Sequence, residues 1–163
     1  MKKFNIALSD NNVTVAKDGS YIFMPIHIES EEQSFPDNSW TDFAFPIIYQ
    51  WAENLIKNIN LPNSSYTLYF MDGPYCLNIK QQRNKLKLVG VNFNKQGSQF
   101  EMVCYYHEFL AEILKASRFL RRMIGIKFPS ADSTEMAAIL ETALHYEQII
   151  YEILKRHASA GDG

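Results

Sequence analysis

The chain has 163 residues, 47% of them hydrophobic and 13% aromatic, with a formal net charge of −2. That length suits a single domain with its own core, and that composition excludes global disorder. The mildly acidic balance argues against a mainly electrostatic nucleic-acid binder, which would be basic overall, and no window approaches the roughly 18 unbroken apolar residues of a membrane span.

The N-terminus starts Met1-Lys2-Lys3, but the apolar run behind it is too short and interrupted for a secretory signal, so a cytoplasmic location is expected. Phe4–Leu8 reads as a strand, closed by the turn cluster Asp10-Asn11-Asn12. Val13–Lys17 reads as a second, followed by the hairpin signal Asp18-Gly19. Tyr21–Glu29 alternates: Ile22, Met24, Ile26 and Ile28 share one face, while Tyr21, Phe23, Pro25 and His27 share the other. Pro25 cannot donate to a ladder, which predicts an edge strand or a bulge there.

Residues 30–39 form a polar connector. Within and beside it, Glu29, Glu31 and Glu32 are the densest acidic group. A helix is expected from Thr41 or Asp42 to Asn60, with Trp40, Phe43, Ile47, Trp51, Leu55 and Ile59 as its apolar stripe and Thr41 or Ser39 as its cap. Pro46 requires the helix to begin near Phe45 or to have an irregular first turn.

Tyr66–Met71 and Tyr75–Lys80 flank Asp72-Gly73-Pro74. An Asp-Gly pair between apolar runs is a strong hairpin signal, and Gly73 is expected at positive φ. Tyr66–Met71 is apolar on both faces, which suits a central strand. Residues 85–93 alternate; residues 99–106 do not do so strictly. Two helices follow, one from His107 to about Ile124 and one to about His157. Phe128-Pro129-Ser130 breaks them, and Asp132 or Ser133 caps the second. The order βββ-α-ββββ-α-α predicts one α+β domain over residues 1–157. It would be a mainly antiparallel sheet of about seven strands covered by three helices, with 158–163 a disordered tail.

Few residues carry chemistry. His107-Glu108 opens like a zinc-protease helix, but Ala111 stands where the second histidine must be. Glu141 and His145 share a helix face, and two ligands do not make a zinc site. No metal and no cofactor is expected. Cys76 and Cys104 sit in apolar runs as small hydrophobes. No glycine-rich phosphate loop or nucleophile elbow occurs. Lys115, Arg118, Arg121 and Arg122 form the densest basic cluster. Lys115, Arg118 and Arg122 are the candidate anion-binding set, with complementing a helix C-terminus as the plainer role. Strand aromatics that prove exposed would suit protein recognition.

Trp40-Thr41-Asp42-Phe43, Trp51 and Phe70-Met71-Asp72-Gly73-Pro74-Tyr75 resemble landmarks of small bacterial proteins, some encoded as immunity proteins beside secreted toxins. The resemblance implies a binding role, with a toxin as the protein partner, and assigns no functional residues. The favoured reading is a non-catalytic protein-binding domain using Glu29, Glu31 and Glu32, with no membrane partner and nucleic acid disfavoured. The alternative is a small-molecule-binding or enzymatic domain with a site between sheet and helices. The first expects an exposed acidic or aromatic patch and no deep polar pocket. The second expects a cavity with converging Asp, His or Arg.

Overall fold

The alternating run at residues 22–29 forms strand β3 (Ile22–Glu29), with Ile22, Met24, Ile26 and Ile28 all buried on its inner face. The structure is a computed structural model that describes residues 3–16, 21–127 and 134–161. In it β3 is the spine of a five-stranded antiparallel sheet. β1 (Asn5–Leu8) and β2 (Thr14–Val15) follow one another along one side of β3. β4 (Ser34–Phe35) and β5 (Thr41–Phe43) follow one another along the other. So β3 is not the edge that Pro25 suggested. The Pro25 carbonyl accepts from the Ser9 N–H at 3.5 Å. Its missing N–H therefore faces the gap where β1 has ended and β2 has not begun, and no ladder bond is lost. The Asp18-Gly19 signal lies outside the described residues.

The second sheet is a four-stranded meander: β6 (Asn63–Tyr69), β7 (Tyr75–Gln82), β8 (Lys85–Asn92) and β9 (Ser98–Tyr105), paired in that order. Two antiparallel sheets thus replace the expected single sheet of about seven strands. Two short strands, β4 and β5, come from segments read as connector and helix start. Residues 98–105 do alternate, with Phe100, Met102 and Cys104 buried; Val103 and Tyr105 on the outer face had masked the period.

Tyr66–Met71 is corrected from central strand to edge. β6 ends the sheet, and Asn63, Ser65 and Tyr69 are exposed on it. Helix α1 (Ala44–Asn58) closes part of that edge. The Tyr69 N–H donates to Gln50 Oε1 at 3.0 Å, and Trp51 Nε1 donates to the Tyr69 carbonyl at 3.0 Å. Such cover removes open ladder positions that invite mispairing. Neither Ser39 nor Thr41 caps α1, because residues 41–43 are already strand and no side chain bonds the helix start. Pro46 is the third helical residue, where an N–H would have no acceptor within the helix.

α2 (Tyr106–Lys127) and α3 (Thr134–Gly161) complete an α+β fold. The expected break and cap at residues 128–130 and 132–133 lie outside the described residues. α3 continues past His157, so residues 158–161, expected in a disordered tail, are helical. The inner faces of both sheets and the helices share one core. Trp51 lies within it, its ring centroid 5.3 Å from Phe70 and 6.1 Å from Phe109. Phe35 of β4 joins the sheets, packing 5.8 Å from Phe70 and 5.9 Å from Phe100. Gly90 leaves room for it: a Cβ there would lie 2.9 Å from the Phe35 ring.

Candidate functional site

The landmark residues near 40 and 70 converge on Asp42. Its carboxylate is fully buried and accepts four hydrogen bonds. Oδ1 takes the N–H groups of Phe43 at 2.7 Å and Asp72 at 2.9 Å. Oδ2 takes the Met71 N–H and the Trp40 indole N–H, both at 3.1 Å. Burial pushes the Asp42 carboxyl above its ordinary value, against the pull of these donors. The acceptor for the turn is thus Asp42, thirty residues away, rather than the turn's own Asp72, which is exposed. Gly73 has the expected positive φ, +70°. The Trp40 ring covers it, leaving 2.7 Å for a Cβ, and stacks edge-on against Tyr75 at 4.8 Å. This constellation latches the two sheets together, so its role is structural.

The acidic trio separates. Glu29 Oε1 lies 2.8 Å from His27 Nε2, and its Oε2 accepts from Asn5 Nδ2 at 3.2 Å. The His27 hydrogen bond holds the Glu29 carboxyl below its ordinary value. Glu31 and Glu32 are exposed in the β3–β4 connection. Glu29 and Glu31 border a small cleft of about 290 Å³ together with Lys3 and Lys115. The region is therefore mixed in charge rather than uniformly acidic.

The basic cluster also divides. Arg121 turns inward, its Nε and Nη2 each donating to the buried Glu147 carboxylate of α3 at 3.0 Å, while Ser117 Oγ donates at 3.2 Å. Lys115, Arg118 and Arg122 do line one groove of about 450 Å³, with Asp10 on its wall. Two of the three are already engaged: Lys115 donates to Asn5 Oδ1 at 2.9 Å, and Arg118 Nε lies 3.8 Å from Glu147. α2 runs on to Lys127, which holds the last-turn position, so the helix-terminus role falls to Lys127 rather than to these three.

Some aromatic and apolar residues at and just beyond strand ends are exposed, as protein recognition would require. Tyr69, Met71 and Phe93 are 43%, 40% and 60% exposed, with the Tyr69 and Phe93 rings 6.3 Å apart. In register, Tyr69 pairs with Cys76 and Cys76 with Val91; Cys76 is buried between them, so the exposed patch is confined to Tyr69, Met71 and Phe93 around it. The Phe93 N–H donates to the Pro74 carbonyl at 2.8 Å, which fixes this segment against the β6–β7 loop.

The opposite end of the same sheet borders a cavity of about 580 Å³. Four separate elements build it: the chain after α1, the β7–β8 turn, the first turn of α2 and the end of α3. Ile59, Pro62, Leu110 and Ile153 make apolar walls. Arg83, His107, Arg156 and His157 supply the groups that can carry positive charge. His107 is sandwiched in a ring stack, 5.4 Å from Tyr105 and 4.4 Å from His157, and its Nδ1 is buried without a partner. Gln81 is spent on structure, its amide donating to the carbonyls of Asn58 and Leu61. The Tyr106 hydroxyl donates to the Leu55 carbonyl, and burial raises it above the ordinary tyrosine value. Sequence reasoning singled out His107 alone of this set, because the walls come from segments up to about a hundred residues apart.

Among the described residues no group of three or more His, Cys, Asp or Glu is placed to hold a metal. Cys76 and Cys104 are buried and unbridged, and burial raises Cys104 to about 12. Among those residues no helix is long and apolar enough to cross a membrane. No family model, no curated protein and no solved structure matches this chain.

Proposed function

We propose that this protein is a non-catalytic protein-binding domain that forms a stoichiometric complex. The observation that carries the reading is the solvent-facing row Tyr69, Met71 and Phe93. Phe93 is more than half exposed although core positions elsewhere are filled by its kind. Exposed aromatic and apolar side chains gathered at the end of a sheet, with the Tyr69 and Phe93 rings 6.3 Å apart, are the usual material of recognition hot spots. Glu31 and Glu32 add an exposed acidic element that would steer a basic partner. Toxin immunity is the sharper form of this proposal and rests on the resemblance of the Trp40–Phe43 and Phe70–Tyr75 segments. Affinity purification from native cells with mass spectrometry tests both levels. A one-to-one complex weakened by Phe93→Asp supports protein binding, and a secreted toxin as the captured partner supports immunity. Recovery of no partner by the parent chain counts against both. The cavity beside His107 favours a second reading, small-molecule binding.

A further inference from the structure

We propose that the cavity beside the β7–β8 turn binds a small organic anion: a carboxylate or phosphate head on an apolar, preferably aromatic, body. The volume, about 580 Å³, lies within the span of about 300–1,000 Å³ typical of small-ligand pockets. The charge of the lining is one-sided. Arg83, Arg156, His107 and His157 face this space with no Asp or Glu among the lining residues, in a chain whose net charge is −2. Other cations, among them Arg121 and Arg118 on Glu147, Lys57 on Glu53 and Lys127 on Asp10, are offset by a carboxylate. Neither Arg83 nor Arg156 has an acidic partner among the described residues. Two unpaired guanidinium groups at one mouth are suited to gripping a planar or tetrahedral oxyanion.

The backbone points the same way. Arg83 holds a φ of +55°, a left-handed conformation uncommon for a side chain of that size. The turn that imposes it also sets Arg83 at the cavity rim. The apolar walls would accept the ligand body, and the exposed ring of His157, stacked on His107, offers an aromatic surface for it. Nothing here requires bond making. The lining contains no carboxylate base, and the proposal is one of binding.

The test is calorimetric titration of the full chain with 1-naphthyl phosphate. Saturable one-to-one binding is expected, with neutral 1-naphthol and inorganic phosphate each weaker by about ten-fold or more, because each lacks half of the recognition chemistry. Arg156→Gln and Arg83→Asn remove charge at exposed positions, and Asn tolerates positive φ. Each should weaken binding several-fold with an unchanged melting temperature. Arg118→Gln, in the separate basic groove, should leave it unaltered. Tighter binding of 2-naphthoate than of naphthyl phosphate would assign the head as carboxylate, and the reverse as phosphate. No saturation at millimolar ligand, equal binding of 1-naphthol, or sensitivity to Arg118→Gln but not to Arg83→Asn and Arg156→Gln would each overturn the proposal.

Discussion

At Asp42 a single buried carboxylate serves four donors, three of them backbone N–H groups. Asp42→Ala removes the acceptor of all four donors at once, and a loss of at least about 3 kcal/mol is expected. Urea denaturation measures it; a change within about 0.5 kcal/mol would show that water replaces the carboxylate. Two glycines give a cleaner comparison. Gly73 and Gly97 both have positive φ, but a Cβ at Gly73 meets Trp40 at 2.7 Å whereas one at Gly97 meets nothing within 4 Å. Gly97→Ala should therefore cost only the backbone conformational term of about 1 kcal/mol, and Gly73→Ala distinctly more. Equal melting shifts for the two would remove Trp40 from the argument. Glu29 supplies the pH dependence. Its carboxyl is lowered by the His27 hydrogen bond, so its contribution is present above the ordinary glutamate value of 4.5 and is lost as pH falls through the lowered folded value. In His27→Ala the Glu29 titration, followed by NMR, should move up toward 4.5. The positive φ of Gly73 was legible because Asp-Gly between apolar runs demands it locally. The role of Asp42 was not, because its turn partners lie some thirty residues on.

At the scale of elements, periodicity found most of what was long enough to show a period, β9 being the exception because Val103 and Tyr105 on its outer face hide the alternation. β3, β7, β8 and all three helices satisfy it. β4 and β5 have two and three residues, too few to alternate, and they exist because β3 offers them a ladder. β6 misled for the opposite reason: its aromatic composition looked like a covered strand, but the cover comes from Gln50 and Trp51 at its edge rather than from a second layer on its outer face. The basic run on α2 could not be resolved in sequence either. Arg118, Arg121 and Arg122 have similar spacing and flanks, and only the position of Glu147, 26 residues beyond Arg121, decides which one turns inward. Glu147 also fastens α3. Glu147→Ala should strand Arg121 and Ser117 and cost about 2 kcal/mol or more, with the loss concentrated in α3. Hydrogen exchange would register it as lowered protection over residues 134–161 with little change in β7 and β8. Uniform loss across the molecule would mean that α3 does not open as a unit.

Across the whole molecule, the aromatic patch and the cationic cavity occupy opposite ends of the second sheet. Cys76 marks one end of β7 and Gln82 the other. At about 3.3 Å per residue the separation is about 20 Å. The exposed patch expected of the first reading and the cavity expected of the second are both present, in different places; the cavity goes against the first reading's expectation of no deep polar pocket. Sequence reasoning could name the ingredients, the strand aromatics as a class and His107 among the histidines. It could not assemble a cavity whose walls come from four segments. Sites this far apart with no shared partners should behave independently, since coupling decays beyond about 7–10 Å. Phe93→Asp should weaken capture of a protein partner and leave 1-naphthyl phosphate affinity unchanged. Arg156→Gln should leave capture unchanged and weaken ligand binding several-fold. The double variant should show both losses, with ligand affinity equal to that of Arg156→Gln alone. Titration of the four proteins, with partner capture measured beside it, checks this directly. A change in ligand affinity caused by Phe93→Asp, in a variant that melts like the parent, would show that β7 and β8 transmit strain from one end to the other and that the two sites work as one.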